Sequence, residues 1–429
     1  MNQPKTEYRN GWKWVPSLYF AEGLPYIMVM TVSVIMYKRL GISNTDIAIY
    51  TSLLYLPWVV KPLWSPFVDI LKTKRFWILT MQLIIALGLG GIAFAVTLPN
   101  YFVLTLAFFW MLALGSATHD IAADGFYMLG LTKHDQVWFV GFRSTFYRFA
   151  MIFAQGLLVI FAGYLEISLN DIPMAWMISF AAIGIIFFLF FIYHNIILPF
   201  PLNDKPTASL NVKSILAEFV QTFVSFFRKE QIPVILLFIL FYRFGEGQLA
   251  KLTSPFLLDP KNAGGLALST ESVGFIYGTV GIAALTIGGI LGGFLAAKNG
   301  LKHWLWWMLV AINLPDLVYV YLSFTQTTNL LIVNIMVAIE QFGYGFGFTA
   351  FLLVLIYISE GNHKTAHYAI ATGLMALGMM VPGLVSGWIQ SMIGYKYFFI
   401  WVTISTIPAF IITYFLNIDP EFGKKTNEK

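Results

Sequence analysis

Charged side chains occur inside the long apolar segments of this chain, where each needs a charged partner, water or a ligand. Ionisable residues are expensive in lipid and usually face a cavity or one another, so they are the first residues to examine for chemistry. They are Glu22, Lys61, Asp120, Asp124, Arg143, Arg148, Arg243, Glu246, Lys251, Asp316 and Glu340. This set is larger than a simple membrane anchor needs and indicates a polar pathway through the membrane.

Two acidic and two basic residues are placed to meet across one helical hairpin. Asp120 and Asp124 are four residues apart and share a helix face. The turn is centred near His134, which brings Asp124 beside Arg143, and Asp120 comes level with Arg148. We predict at least one carboxylate–guanidinium pair; for Asp124 with Arg143, a permanent salt bridge and a functional contact are both open. Arg148 lies about eleven residues, or roughly 16 Å, into its helix, where it could bind an anionic substrate with a bidentate donor.

Four other carboxylates are candidates to carry a proton. They are Glu22, Glu246, Asp316 and Glu340, each a third to halfway into its apolar segment. Burial away from a basic partner favours the protonated carboxyl. Two or three of the four could instead merely pair with Arg243 or Lys251. Proton coupling is the prediction, mostly because no sodium-site pattern is present.

His119 stands beside Asp120 and near Asp124, which raises the hypotheses of a metal site and of a catalytic acid and base. Three possible ligands on one helix, without a second cluster elsewhere, are weak grounds for a metal, so neither a metal nor a cofactor is predicted. The chain has no cysteine. A membrane-embedded enzyme is the least favoured hypothesis because no nucleophile motif accompanies these residues. We expect His119 to line a wet pathway.

The segments that must position these residues are apolar along most of the chain. Hydrophobic residues make up 58% and charged residues 11% of the 429 residues, whereas soluble domains have about 25% charged residues. Apolar runs of about 20 or more residues, each able to cross roughly 30 Å of hydrocarbon, recur from end to end. Twelve transmembrane helices are predicted, near 14–37, 45–70, 76–97, 101–130, 137–163, 173–197, 232–255, 270–297, 303–323, 328–357, 365–391 and 396–416.

The distribution of basic residues predicts the orientation. With a cytoplasmic N-terminus, 17 of the 26 lysines and arginines lie on the cytoplasmic side, as the positive-inside rule requires. We predict a multi-pass protein of the bacterial inner membrane with both termini in the cytoplasm. The first span is too long for a signal peptide, so we expect it to remain attached. No basic tract is dense enough to indicate nucleic acid.

A polar break divides the spans six and six. It predicts an N-terminal bundle (1–198), a cytoplasmic linker (199–231) and a C-terminal bundle (232–429). Apolar residues at helical spacing from Val212 to Phe227 predict an amphipathic helix within the linker.

The two halves also repeat a short motif at matching depth. Tyr19–Gly23 (YFAEG) lies in the first span and Arg243–Gly247 (RFGEG) in the seventh. The repeat favours an all-α membrane protein of two parallel six-helix bundles, the major facilitator arrangement, which works by alternating access around a site near the midplane. Gly115, Gly343, Gly345 and Gly347 are predicted to let helices pack closely.

An acidic residue followed by basic residues closes the second span. Ser65–Arg75 (SPFVDILKTKR) resembles the acidic-then-basic loop of the major facilitator superfamily, with Ser65 in place of the usual glycine. We predict a gating latch of Asp69, Lys72 and Arg75. Ordinary positive-inside charge is the alternative.

Seven segments together resemble one transporter family in order and spacing. They are Tyr19–Pro25 (YFAEGLP), Lys61–Asp69 (KPLWSPFVD), Ser116–Asp124 (SATHDIAAD), Tyr147–Arg148, Tyr242–Glu246 (YRFGE), Ile339–Gly347 (IEQFGYGFG) and Ala376–Trp388 (ALGMMVPGLVSGW). The chain resembles the AmpG-type muropeptide permeases of the major facilitator superfamily, a branch related to acetyl-CoA transporters. Met379 or Met380 stands where the family is expected to have a basic residue.

The resemblance implies proton-driven import of peptidoglycan fragments, disaccharides of N-acetylglucosamine and anhydro-N-acetylmuramic acid with or without a peptide. It implies a monomer whose partners are this small substrate, protons and lipid. The implied polar residues of the path are Asp120, Asp124, Arg148, Glu246 and Glu340. The alternative is a permease for another anionic metabolite, such as an acyl-CoA, a peptide or a siderophore, or a drug exporter.

Overall fold

The computed structural model describes residues 9–205, 212–361 and 364–423, and in these ranges every regular element is a helix. A bilayer offers no water to backbone groups, and a helix satisfies its own N–H and C=O groups along the segment. Ten helical segments are long and apolar enough to cross a membrane. Two further spans bring the number to twelve. One is broken into two shorter helices within residues 44–71, and the other is joined to its neighbour in the single long segment 366–415.

Nine α-helices precede residue 205. They are α1 (Val15–Ile27), α2 (Ser33–Arg39), α3 (Asn44–Leu53), α4 (Leu56–Leu71), α5 (Lys74–Ala95), α6 (Tyr101–Gly130), α7 (Lys133–Met151), α8 (Val159–Leu169) and α9 (Ile172–Ile197). The π-helical stretches Met28–Val32 and Ile152–Leu158 join α1 to α2 and α7 to α8. A two-residue turn separates α3 from α4, and together they form the second predicted span.

Ten α-helices follow in the described residues from 212 onwards. They are α10 (Val212–Phe227), α11 (Ile232–Phe241), α12 (Phe244–Leu258), α13 (Thr270–Phe275), α14 (Ile282–Asn299), α15 (Leu301–Asn313), α16 (Leu317–Thr325), α17 (Leu330–Ser359), α18 (Lys364–Ser405) and α19 (Ile407–Phe415). Gly394, with φ 71°, interrupts the long α18, and this left-handed conformation suits glycine. Its position separates the eleventh predicted span from the twelfth.

These elements confirm the predicted all-α membrane fold of twelve spans. The predicted helix of the linker is present as α10, although the side chains of residues 212–219 lie outside the described part. The fifth span reaches Leu169, beyond the predicted end at 163, because the π-helical stretch lets the helix continue.

The chain forms two compact units. The first unit comprises the described parts of Met1–Leu40 and Val60–Ile215, and the second comprises those of Gly41–Val59 and Leu216–Lys429. In the first unit α5 packs against α6 and α9, and α1 packs against α7. In the second unit α17 packs against α14 and α15, while α18 packs against α12 and α3.

Glycines permit the closest packing in the second unit, as predicted. A Cβ on Gly343 would lie 2.0 Å from the Ala311 carbonyl oxygen, and one on Gly345 would lie 2.0 Å from that of Leu285. Any larger residue at these two positions would force α17 away from α15 and α14. This packing fixes where α17 presents its polar side chains.

Candidate substrate and ion pathway

The predicted hairpin pair is present in the first unit. Arg143 of α7 donates a hydrogen bond to Asp124 Oδ1 of α6, and the Tyr19 hydroxyl donates to the same oxygen at 3.5 Å. The guanidinium carbon lies 4.3 Å from the ring centre of Tyr19 and 4.6 Å from that of Tyr127. Thr132 starts α7 as its N-cap, accepting from the Asp135 backbone N–H. The pair is therefore held by both rings as well as by its charges.

Asp120 has a partner that the hairpin alignment did not identify. Its Oδ2 lies 3.4 Å from the Lys61 ammonium of α4. Asp120 and Asp124 are about 40° apart around α6, whereas Arg143 and Arg148 are about 140° apart around α7. Only one of the two arginines can therefore face the acidic side of α6, and Lys61 supplies the second positive charge.

Arg148 is half-buried and makes no ion pair, hydrogen bond or ring contact with any residue that the structure describes. A guanidinium has five donors in a planar fork and is always charged. This geometry matches a carboxylate or phosphate. Lys61 and Arg143, the other basic residues predicted inside the spans of the first unit, both form ion pairs. Arg148 is therefore the one of these three that is available to an incoming anion.

Glu22 of α1 belongs to the same group of charges. Its side chain is 9% exposed, and its Oε2 has no hydrogen-bond partner among the described residues. Its electrostatic neighbours are Asp124, Asp120, Arg143 and Lys61. We call these five residues the first charge cluster, in which three carboxylates face two cations.

His119 is not part of this cluster. The sequence predicts it on a wet pathway, but the structure buries its ring completely. Its Nε2 lies 3.1 Å from the Gln82 amide, which contacts His194 at 2.9 Å; His194 in turn contacts the Ser17 hydroxyl at 2.9 Å. This polar chain links α6, α5, α9 and α1. The described residues contain no group of three or more metal-ligating side chains.

In the second unit, Glu246 and Asp316 lie next to breaks between helices, and Glu340 lies within α17. Glu246 follows the break between α11 and α12, and Asp316 ends the 3-10 turn between α15 and α16. Both oxygens of Asp316, which is 1% exposed, lack a hydrogen-bond partner among the described residues, as does Oε2 of Glu246. We call these three residues the second-unit carboxylates.

Glu340 of α17 accepts several hydrogen bonds. The Tyr319 hydroxyl donates to Oε2 at 2.9 Å, and the Gln341 amide lies 3.2 Å from Oε1 and 3.0 Å from Oε2. Tyr319 also contacts the Tyr277 hydroxyl at 2.5 Å. The sequence did not predict these tyrosine hydroxyls as partners of Glu340, because tyrosines are numerous and their spacing alone identifies no partner.

The two nearby cations in the second unit have partners other than these carboxylates. Arg243 donates to the Tyr344 hydroxyl and lies over the Phe348 ring, 4.5 Å from its centre. Lys251, 1% exposed, donates to the Thr51 carbonyl at 3.2 Å and lies 5.0 Å from the Tyr55 ring centre. Neither forms a salt bridge within the described residues. Rings and a backbone carbonyl stabilise these cations where the sequence suggested carboxylates.

Of the three predicted gating residues, the structure describes the side chains of Lys72 and Arg75. The side chain of Asp69 lies outside the described residues. Arg75 donates to the Asn195 carbonyl at 2.5 Å and stacks on Phe200 at 4.1 Å, so it binds the end of α9. Lys72 is exposed and lies 5.7 Å from the Phe76 ring centre. The gating latch stays a prediction.

Residues 17–361 match the family model described as Major Facilitator Superfamily. Putative transporter AmpG 4 of Rickettsia conorii is 24% identical over 417 residues, covering 93% of this chain and 95% of that protein. The anhydromuropeptide permease of Escherichia coli K12 is 24% identical over 414 residues, covering 92% of this chain and 77% of that protein.

Solved transporter structures have the same fold. The nucleoside transporter NupG matches with a TM-score of 0.69 at 13% identity, covering 95% of this chain and 98% of that structure. A D-xylose-proton symporter matches with a TM-score of 0.69 at 10% identity, covering 95% of this chain and 98% of that structure. At such low identity these similarities support the fold alone.

Proposed function

The chain belongs to the Major Facilitator Superfamily, and from this premise we propose that it imports anhydromuropeptides by proton-coupled alternating access. As a multi-pass member of this superfamily it is a transporter and not an enzyme. The permease of Escherichia coli that it resembles over 92% of this chain gives the cargo class. We propose cytoplasmic termini on the basic-residue distribution described above, and a monomer in the bacterial inner membrane on the family resemblance.

The lack of a partner for the Arg148 guanidinium among the described residues supports an anionic cargo. Arg148 is half-buried, in a unit where two other cations are already paired. Anhydromuropeptides carry free carboxylates, on the lactyl group when no peptide is attached and on the peptide when one is, and a bidentate arginine contact would select such a group. The first charge cluster joins side chains of α1, α4, α6 and α7, and because its two cations face three carboxylates it offers no spare positive charge.

The experiment is uptake of labelled anhydromuropeptide into proteoliposomes with an imposed inward proton gradient. We expect wild-type uptake to depend on the gradient and Arg148→Ala to lower uptake about 30- to 100-fold, as for loss of a charged bidentate contact. Arg228→Ala, which removes an exposed arginine outside the spans, is the matched control and should transport normally.

Direct uptake assays identify the cargo if the first probe fails. Labelled acyl-CoA, peptide and siderophore anions are then offered one at a time to the same proteoliposomes. Absence of anhydromuropeptide uptake by folded wild-type protein, together with uptake of one of these solutes, would replace the cargo and leave the transporter fold in place.

A further inference from the structure

We propose that the coupling proton binds in the second unit, at the carboxylates Glu246, Asp316 and Glu340, with Asp316 as the central acceptor. This inference rests on the proposed function and assigns the proton to one of the four candidates that the sequence left equal. It separates the proton site from the anion-binding arginine of the first unit.

Asp316 has the environment of a side chain that requires a cation. It is 1% exposed, and neither of its oxygens has a hydrogen-bond partner among the described residues. A bare carboxylate in such surroundings is very costly. Its electrostatic neighbours are Glu246 and Glu340, so the nearby charges are themselves negative. A bound positive charge would remove this repulsion.

The backbone makes room for this carboxylate. Asp316 ends a 3-10 turn, where the chain departs from the helix before α16 begins. A Cβ placed on Gly245 would lie 3.0 Å from Asp316 Oδ2, so the missing side chain at Gly245 leaves space for that oxygen. Glu246 is the next residue, which brings the second carboxylate to the same region of α12.

The charged and titratable groups around the site do not neutralise it. Arg243 has an electrostatic interaction with Glu246 but donates its hydrogen bond to Tyr344. Lys251 donates to Thr51. On α18, which packs against α12 and α16, the titratable groups have partners elsewhere: Tyr395 donates to Asp259, and Lys396 lies over Phe324.

A proton fits this arrangement better than a metal cation. Metal cations such as calcium take six or more oxygen ligands, and the described residues contain no group of three metal-ligating side chains. A proton needs only one carboxylate oxygen. Tyr319, three residues after Asp316 on the next turn, joins Glu340 and Tyr277 by hydroxyl hydrogen bonds. These hydroxyls can accept and donate in turn, so a proton that reaches Glu340 from Asp316 has polar groups to move along.

Glu22 is the contrasting carboxylate. Its neighbours include Arg143 and Lys61, so the first charge cluster already has cations. We therefore expect Glu22 to support the cluster, with Asp316 accepting the transported proton.

The test measures two activities separately: substrate exchange, which needs no proton gradient, and substrate accumulation, which does. Proteoliposomes with Asp316→Asn, Glu22→Gln or the exposed control Glu271→Gln are assayed for substrate exchange without a gradient and for gradient-driven uptake. A gradient of about one pH unit can support about tenfold accumulation per coupled proton. We expect Asp316→Asn to keep exchange and lose this accumulation, Glu271→Gln to keep both, and Glu22→Gln to keep the wild-type ratio of accumulation to exchange. Accumulation by Asp316→Asn at the wild-type level, or accumulation driven by a sodium gradient, would overturn the proposal.

A second measurement does not depend on the cargo. Infrared difference spectra of purified protein without substrate are recorded across a pH titration. We expect a titrating carboxyl signal in wild type and in Glu271→Gln that Asp316→Asn lacks. An unchanged signal in Asp316→Asn would refute the proton site even if anhydromuropeptide proved to be the wrong substrate.

Discussion

In the first unit, Asp120 and Asp124 each lie against a basic side chain, whereas in the second unit Asp316 has no basic partner among the described residues and its electrostatic neighbours are Glu246 and Glu340. The first arrangement uses Lys61 and Arg143 at 3.4 Å or closer. The second leaves the nearby cations bound to rings, a hydroxyl and a backbone carbonyl. Since buried charges are retained only when paired or functional, the difference suggests that one unit holds the anion and the other holds the proton.

The largest expected effect comes from making the first unit resemble the second. Arg143→Met leaves Asp124 without its guanidinium and should lower the free energy of unfolding by about 2 kcal/mol, less than for a fully buried pair because Asp124 is 48% exposed. Adding Asp124→Asn should restore most of the loss. Thermal unfolding of wild type and the two variants in detergent is the measurement, and equal stability of wild type and Arg143→Met would show that the pair contributes nothing.

A smaller effect is expected from crowding the second-unit carboxylates. Gly245→Ala places a methyl group 3.0 Å from Asp316 Oδ2 and 2.8 Å from the Thr406 methyl carbon. We expect destabilisation of about 1.5 kcal/mol, together with weaker gradient-driven uptake. Gly293→Ala is the control, because a Cβ there meets nothing within 4 Å. If both variants behave alike, the room beside Asp316 has no special role.

The smallest effect should follow from removing one hydroxyl. Tyr319→Phe keeps the ring and its packing but removes the hydrogen bonds to Glu340 and Tyr277. A loss of about 1 kcal/mol in stability is expected, with slower proton-driven uptake and normal exchange. Tyr321→Phe, on the exposed face of the same helix, should have no effect on either rate. Slower exchange in Tyr319→Phe would instead indicate a purely structural role.

The sequence predicted the parts of this account that depend on one segment or on neighbouring segments. Apolar length and composition gave the twelve spans, and the hairpin alignment gave the pair of Asp124 with Arg143. Helical spacing also predicted α10. Each of these follows from local geometry that a sequence contains.

Contacts between distant segments could not be predicted in the same way. Lys61 of α4 meets Asp120 of α6 across a long stretch of chain, and Lys251 meets the Thr51 carbonyl because α3 packs against α12. The burial of His119 depends on Gln82 and therefore on α5. Such pairings are set by tertiary packing. The sequence therefore identified the buried polar residues but not their partners.

The most direct test of the central claim is equilibrium binding of labelled anhydromuropeptide to purified protein, with Arg148→Ala and Asp316→Asn measured beside wild type. We predict that wild type and Asp316→Asn bind the ligand, and that Arg148→Ala binds it about 30- to 100-fold more weakly. Equal binding by Arg148→Ala and wild type, or equal loss in both variants, would contradict the division between an anion-binding unit and a proton-binding unit.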